Sequence, residues 1–176
     1  CEILEQVRAA DFDEAAVLGD GKLAQLVARV LRGAGLRVVM FGRHGNKLAL
    51  ARRAGVSTIR IDSSARSARR QWPLVVEATG SPRGLQQGLE MTAPRGTLVL
   101  KSTFHGVTHM ETWPIVVHEI NLVGSRCGPF PRALSLLRHR RIDPRPLITR
   151  VFPLREAPAA ICYAARPGIL KVLLKP

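Results

Sequence analysis

The sequence Gly19-Asp20-Gly21-Lys22-Leu23-Ala24 joins a short apolar run to a helical pattern, and this junction limits the folds open to the chain. The apolar run spans residues 15–18. The apolar residues on one face of the helical pattern that follows are Leu23, Leu26, Val27, Val30 and Leu31. A strand, a turn with the spacing G-x-G-x-x-G/A and a helix are typical of sites that hold the pyrophosphate of a dinucleotide.

Each residue type in this turn has a physical role. Gly19 allows a tight turn, Gly21 lets a pyrophosphate approach the backbone closely, and Ala24 is small enough for the helix to pack on the strand. The N-terminus of the helix offers free N–H donors to phosphate oxygens. The turn therefore predicts a dinucleotide site whose cofactor-binding residues include Gly19, Asp20, Gly21, Lys22 and Leu23. A glycine-rich turn that binds nothing is the alternative.

Apolar runs of strand length alternate with helical patterns along most of the chain. The predicted strands are 15–18, 38–41, 58–61, 74–78, 97–100 and 120–123. Near-continuous apolar strands are expected in a parallel sheet covered on both faces. The pattern predicts an α/β Rossmann fold with a doubly wound sheet in the order 3-2-1-4-5-6. We assign residues 1–12 to a connecting helix, 13–126 to the dinucleotide-binding domain and 127–176 to a C-terminal αβ appendage.

The charge of the chain suggests nucleic-acid binding, but its distribution does not. The net charge is +14, from 22 Arg and 5 Lys against 13 acidic residues. The arginines are scattered, with local clusters at Arg66, Arg69 and Arg70 and at 138–141, and no aromatic residues alternate with them. We therefore expect no nucleic-acid partner and attribute the arginines to genome composition.

Cysteine usage and hydropathy indicate the class of protein. The 3 cysteines lie far apart, which is no disulfide framework, and no apolar run reaches the length of a membrane span. We expect a cytoplasmic protein with no membrane association.

The end of the second strand bears on which nicotinamide cofactor is bound. An acidic residue there usually binds the ribose 2′-hydroxyl, but the sequence has Gly42, Arg43 and His44. The missing carboxylate and a guanidinium that can bind phosphate through two donors favour NADP over NAD. Arg43 is the predicted main anchor, helped by His44 or Lys47, and a solvated loop arginine is the alternative.

The sequence Glu77-Ala78-Thr79-Gly80-Ser81 ends the fourth strand. Small residues and free backbone donors there suit the wall of an adenosine and ribose pocket, with Thr79 and Gly80 as binding residues. We expect Glu77 to be structural rather than catalytic, because it ends a buried strand.

The histidines do not form a convincing metal site. His105 and His109 are four residues apart, but Gly106 and the lack of helical periodicity argue against a shared helical face. We predict no metal ligands and no catalytic residues in this chain.

Taken in order, these segments resemble the cofactor-binding half of the medium-chain alcohol dehydrogenase superfamily. The segments that carry the resemblance are 1–5, 17–24, 47–55, 75–80, 94–99, 146–149 and 168–172. The resemblance implies an oxidoreductase that transfers a hydride between an alcohol or carbonyl substrate and NADP or NAD. Within the superfamily, the sequence is more similar to the alcohol and polyol branch. The alternative is a non-catalytic NADP(H)-binding sensor or scaffold module.

The resemblance also implies roles for further residues. The positions beside the nicotinamide are Leu100, Lys101, Ser102, Ser125 and Cys127, and Lys171 sits where a basic residue reaches the pyrophosphate. It implies a homodimer joined through the edge of the sixth strand. It also implies an N-terminal domain on which residues 127–176 would pack. That domain holds a catalytic zinc in the zinc-dependent members of the superfamily, whereas zinc-free quinone reductases share the same cofactor-binding half. The ligand motifs of that domain are absent from these 176 residues, so we expect this chain alone to be inactive.

Overall fold

Six of the chain's apolar runs form one parallel sheet in the computed structural model, which describes residues 1–61, 70–104 and 106–176. The strands are β1 Glu14–Leu18, β2 Arg37–Gly42, β3 Ser57–Arg60, β4 Trp72–Glu77, β5 Thr92–Leu100 and β6 Asn121–Gly124. Their order is β3-β2-β1-β4-β5-β6, with every pair parallel. The predicted Rossmann fold and strand order are confirmed. The order reverses between β1 and β4, which places the ligand crevice of such a sheet at their carboxyl ends.

One helix precedes the sheet, and the others connect its successive strands or follow it. They are α1 Ile3–Gln6, α2 Lys22–Gly33, α3 Gly45–Arg53, α4 Pro82–Met91, α5 Trp113–Val117, α6 Phe130–Arg138 and α7 Ala157–Ala164. Helix α5 has only 5 residues, too few for the periodicity that identifies a helix from sequence. No helix in the described ranges has the length and apolar character needed to cross a bilayer.

The core explains why the strands are apolar on both sides. Residues 15–18 of β1 are completely buried, with alternate side chains in two apolar clusters. Ala24 of α2 belongs to the same cluster as Val17 of β1 and is also completely buried. This agrees with the sequence prediction that a small residue at position 24 lets α2 pack on the sheet.

Strand β5 starts five residues before the predicted strand, at Thr92 rather than Thr97. The sequence Pro94-Arg95-Gly96 is typical of a turn, and Arg95 does adopt a left-handed φ of +59°. The Arg95 N–H donates to the His118 carbonyl at 2.7 Å, and the pairing with β4 is irregular between Trp72 and Leu74. The turn signal therefore marks a local irregularity inside β5 rather than its beginning.

The chain divides into two units, Cys1–Ile142 and Asp143–Pro176. The first contains the six-stranded sheet and helix α6. The second contains a parallel pair, β7 Ile148–Pro153 and β8 Lys171–Lys175, together with α7. The predicted boundaries after residues 12 and 126 stay predictions.

Candidate functional site

The first glycine of the turn is fixed by the strands on either side of it. Gly19 has a φ of +117°, and a Cβ there would lie 2.6 Å from the carbonyl oxygen of Ala78. Its N–H donates to the Phe41 carbonyl at 2.8 Å. The turn is thus held between the carboxyl ends of β2 and β4, and only glycine fits its backbone conformation.

The second glycine of the turn, Gly21, has open space around its Cβ position. Gly21 precedes α2 with φ −70° and ψ 175°, and a Cβ at this position would meet no atom of the described residues within 4 Å. No side chain caps the helix, and the first hydrogen bond along it runs from the Gln25 N–H to the Gly21 carbonyl at 2.9 Å. The N–H groups of Lys22, Leu23 and Ala24 therefore have no acceptor within the helix. This open cradle at the start of a 12-residue helix fits a pyrophosphate.

A carboxylate does lie at the end of β2, contrary to the sequence interpretation. Asp20 Oδ2 accepts the backbone N–H groups of Arg43 and His44, both at 2.8 Å. The His44 ring nitrogen Nδ1 lies 3.0 Å from Oδ2 and 3.1 Å from Oδ1. A Cβ on Gly42 would lie 2.6 Å from Asp20 Cβ and 2.7 Å from Oδ2. Asp20 thus fills the space that a side chain at position 42 would need. The interpretation that the end of β2 lacks a carboxylate was therefore wrong, because Asp20 supplies one from the glycine turn.

Two of the basic residues predicted to bind a 2′-phosphate contact this carboxylate, Arg43 through its backbone N–H and His44 through its backbone N–H and ring. Arg43 is exposed and the side chain of His44 is about half exposed, at 49%. Lys47 is half-buried in the first turns of α3, and its carbonyl accepts a hydrogen bond from the Gln25 side chain at 2.8 Å. The three basic residues are therefore close in sequence to the end of β2, and the charged group that hydrogen-bonds to the backbone there is the Asp20 carboxylate.

The end of β4 is tied down by the buried Glu77 carboxylate. Glu77 is 1% exposed, and its Oε1 accepts both the backbone N–H and the hydroxyl of Thr79, each at 2.6 Å. Its Oε2 accepts the hydroxyl of Ser102, and the Gly80 N–H donates to that same Ser102 oxygen at 3.0 Å. Glu77 therefore fixes the loop after β4 to the end of β5, which is the structural role predicted for it.

The backbone donors of this loop are not free, so that part of the sequence interpretation was wrong. The N–H groups of Thr79, Gly80 and Ser81 donate to the side chains of Glu77, Ser102 and Thr79, respectively. A hydroxyl-rich sequence satisfies its own amides, which composition alone does not reveal. Binding roles for Thr79 and Gly80 stay predictions.

The ends of β5 and β6 bring together the residues that were expected beside a nicotinamide. The Ser125 N–H donates to the Leu100 carbonyl at 2.9 Å, and Lys101 Nζ donates to Ser125 Oγ at 3.1 Å and to the Arg126 carbonyl. Partial burial lowers the pKa of Lys101 from its ordinary value. Cys127 follows this pair of strand ends and is exposed. Lys101 thus bridges the two strand ends.

The remaining sequence predictions concern a pyrophosphate contact of Lys171 and the absence of a metal site among the histidines. Lys171 begins β8 in the second unit and is exposed, and its predicted contact with the pyrophosphate stays a prediction. His105, Arg66 and Arg69 lie outside the described residues. Over the described ranges, no group of three or more His, Cys, Asp and Glu side chains could hold a metal ion.

Sequence reasoning missed a buried polar connection between α2 and α3. Gln25 is completely buried, and its Oε1 accepts a hydrogen bond from Arg29 Nη1 at 2.8 Å. Arg29 Nη2 donates to the Leu50 carbonyl at 3.3 Å, and Gln25 Nε2 donates to the Lys47 carbonyl. The i,i+4 spacing of Gln25 and Arg29 indicates that they are neighbours on the helix. Nothing in that spacing reveals that the pair is buried against α3.

Comparisons with known proteins indicate the family to which this chain belongs. The family model described as zinc-binding dehydrogenase matches residues 21–139. D-arabinitol dehydrogenase 1 of Uromyces fabae is 28% identical over 98% of this chain and 54% of its own length. The chain thus spans about half the length of this curated relative.

Two solved structures have the same fold over most of the chain. A zinc-binding dehydrogenase of Sinorhizobium meliloti 1021 bound to NADP has a TM-score of 0.83 and 25% identity, over 96% of this chain and 55% of that one. An alcohol dehydrogenase of Escherichia coli CFT073 complexed with NADH also has a TM-score of 0.83, with 21% identity, over 94% and 53%.

A doubly wound sheet with a glycine turn at its switch point and an uncapped helix behind it defines a protein with a nucleotide-binding Rossmann fold. The matched family is more specific. The chain belongs to the zinc-binding dehydrogenase family, of which it represents the nucleotide-binding region. The family resemblance noted from the sequence is confirmed.

Proposed function

We propose that this chain binds a nicotinamide dinucleotide for an alcohol or polyol dehydrogenase. The observation that carries the proposal is the cradle at Gly21, where open space adjoins the free N–H groups of Lys22, Leu23 and Ala24. Backbone donors and the positive end of a helix dipole suit the two negative charges of a pyrophosphate. The similarity to D-arabinitol dehydrogenase supports a polyol or related alcohol as the substrate class.

The chain's own part in the reaction is to bind and orient the cofactor. When bound, the nicotinamide supplies the acceptor or donor of a hydride. The ends of β5 and β6, fixed to each other through Lys101 and Ser125, would form the wall beside the nicotinamide ring. The end of β4, fixed by Glu77, would separate that wall from the glycine turn. We assign no zinc ligand and no proton transfer to this chain, and we expect the 176-residue chain alone to oxidise no alcohol.

The choice between NADP and NAD depends on the end of β2. The sequence favours NADP, because Arg43 could pair with a 2′-phosphate. The Asp20 carboxylate favours NAD instead, because it places a negative charge beside the backbone N–H groups of Arg43 and His44. Related structures hold NADP in one case and NADH in the other, so the family leaves both forms open.

We also propose that the intact protein forms a homodimer through the outer edge of β6. This strand is the last of the six-stranded sheet, and its Leu122 is 41% exposed. An exposed edge strand offers unpaired backbone groups to a second copy. We further propose a cytoplasmic location, because the cysteines at positions 1, 127 and 162 are free thiols, as is usual for a reducing compartment.

The experiment that tests dinucleotide binding is a titration of the purified chain with NADH and NADPH, followed by the fluorescence of the reduced nicotinamide. Gly21→Ala is the decisive variant, because its methyl group meets no atom in the part of the chain that the structure describes and would enter the space proposed for the pyrophosphate. We expect this variant to retain the fold and to weaken dinucleotide binding at least about tenfold.

Gly33→Ala is the matched control, since this glycine at the end of α2 also has open space around its Cβ position. We expect its dissociation constants to equal those of the unsubstituted chain. Saturable binding of a dinucleotide that is equally tight in Gly21→Ala would contradict the proposed site.

A further inference from the structure

We propose that Asp20, a residue of the glycine turn, is the carboxylate that selects the cofactor in this protein, and that it selects NAD over NADP. The inference rests on the proposed function, because it concerns the same dinucleotide site. The sequence at the end of β2, Gly42-Arg43-His44, has no acid, whereas Asp20 belongs to the turn after β1.

The first step is the position of the carboxylate. In many Rossmann sites an acid at the end of β2 accepts hydrogen bonds from the ribose hydroxyls. Here a side chain on Gly42 would overlap Asp20, whose Oδ2 lies 2.7 Å from the ideal Cβ position. The carboxylate of Asp20 therefore lies where the first atoms of a side chain at position 42 would lie. Gly42 and Asp20 act as a pair, in which the glycine makes room for the acid.

The second step is the hydrogen-bonding capacity of this carboxylate. An ionised carboxylate has about four acceptor sites on its two oxygens. Oδ2 accepts the Arg43 and His44 N–H groups, and the His44 ring shares both oxygens. Oδ1 thus keeps capacity for one more donor, and 9% of the side chain is exposed. A ribose 2′-hydroxyl can donate to Oδ1, whereas a 2′-phosphate has no proton to donate when fully ionised.

The third step is the state of the loop's own donors. A 2′-phosphate in this position would compete for the backbone N–H groups of Arg43 and His44, but both already donate to Asp20 at 2.8 Å. The phosphate would also face a negative charge in a largely buried setting, where charges interact more strongly than in water. The exposed Arg43 guanidinium can reduce this penalty, but solvent and salt screen it. The repulsion of a 2′-phosphate by the buried Asp20 carboxylate therefore exceeds its attraction to the exposed Arg43 guanidinium.

The test compares the dissociation constants of NADH and NADPH for the unsubstituted chain, Asp20→Asn and Asp11→Asn. Asparagine at position 20 keeps an oxygen that can accept the two backbone N–H groups but removes the charge. We expect the unsubstituted chain to bind NADH more tightly, and Asp20→Asn to shift the ratio of the two constants towards NADPH by at least about tenfold. Asp11→Asn removes an exposed carboxylate at the surface and should leave the ratio unchanged.

The outcomes separate the two proposals. Absence of binding of either cofactor by the unsubstituted chain would overturn the proposed function and this inference together. Binding with equal or tighter affinity for NADPH, or an unchanged ratio in Asp20→Asn, would overturn this inference alone. The measurement on the unsubstituted chain decides the matter even where Asp20→Asn fails to fold.

Discussion

Gln25 is the residue whose substitution most directly tests how the two helices of the site are joined. Its side chain is completely buried, and its amide connects α2 to α3 through the Lys47 carbonyl at 2.8 Å. Its oxygen accepts a hydrogen bond from Arg29 Nη1, also at 2.8 Å. Leucine has a similar volume and would keep the packing while it removes both polar contacts.

The cost of Gln25→Leu follows from these contacts. A hydrogen bond to a charged partner such as Arg29 contributes about 1.5–3 kcal/mol, and a neutral bond such as that to Lys47 contributes about 1 kcal/mol. Greater burial of apolar surface by leucine offsets part of this loss. We therefore expect the free energy of unfolding to fall by about 3 kcal/mol, which is a large share of a typical domain's stability.

Urea denaturation followed by far-UV circular dichroism measures this change. Gln6→Leu is the matched control, because the Gln6 side chain also donates to a backbone carbonyl, that of Gly124 at 2.8 Å, but is exposed. The control should lose less than about 1 kcal/mol. If Gln25→Leu were as stable as the control, the buried polar connection would not hold α2 to α3 in the way described.

Two further substitutions test the turns at the carboxyl ends of the strands. Gly19→Ala should lower the free energy of unfolding by about 2 kcal/mol or more in the same assay. The added Cβ would lie 2.6 Å from the Ala78 carbonyl oxygen, and residue 19 has a φ of +117°. Unchanged stability would mean that β2 and β4 do not fix the turn. Ser81→Ala should cost about 1 kcal/mol, since the Ser81 hydroxyl accepts the Gly84 N–H at 3.1 Å at the start of α4. A loss below about 0.3 kcal/mol would show that this cap contributes little.

The sheet could be predicted from the sequence because its signal is local. Each buried strand is an apolar run, and residues 15–18 of β1 have no exposed surface at all. Glycines punctuate the ends of the helices, as Gly35 does with a φ of +100° after α2. Helix α5 and the early start of β5 could not be predicted, because a helix of 5 residues has little periodicity and a bulged strand has the composition of a turn.

The glycine turn itself could be predicted, but the chemistry of the neighbouring strand end could not. The sequence places Asp20 and Gly42 22 positions apart, and only the fold shows that one occupies the space vacated by the other. Likewise, the amides after β4 look available from the sequence alone and are taken by Glu77, Ser102 and Thr79 in three dimensions. Neither the local bonds to Glu77 and Thr79 nor the bond between Gly80 and Ser102, which lie 22 positions apart, leaves a periodic signal in the sequence.

The most direct test of the central claim is to locate the bound dinucleotide on the chain. Amide ¹H–¹⁵N spectra of the ¹⁵N-labelled chain would be recorded during a titration with NADH. We expect saturable shifts of the Lys22, Leu23 and Ala24 amides, because their N–H groups are the donors offered to the pyrophosphate. Shifts that leave these three amides unmoved while other residues saturate, or a spectrum that does not respond to NADH, would contradict this expectation.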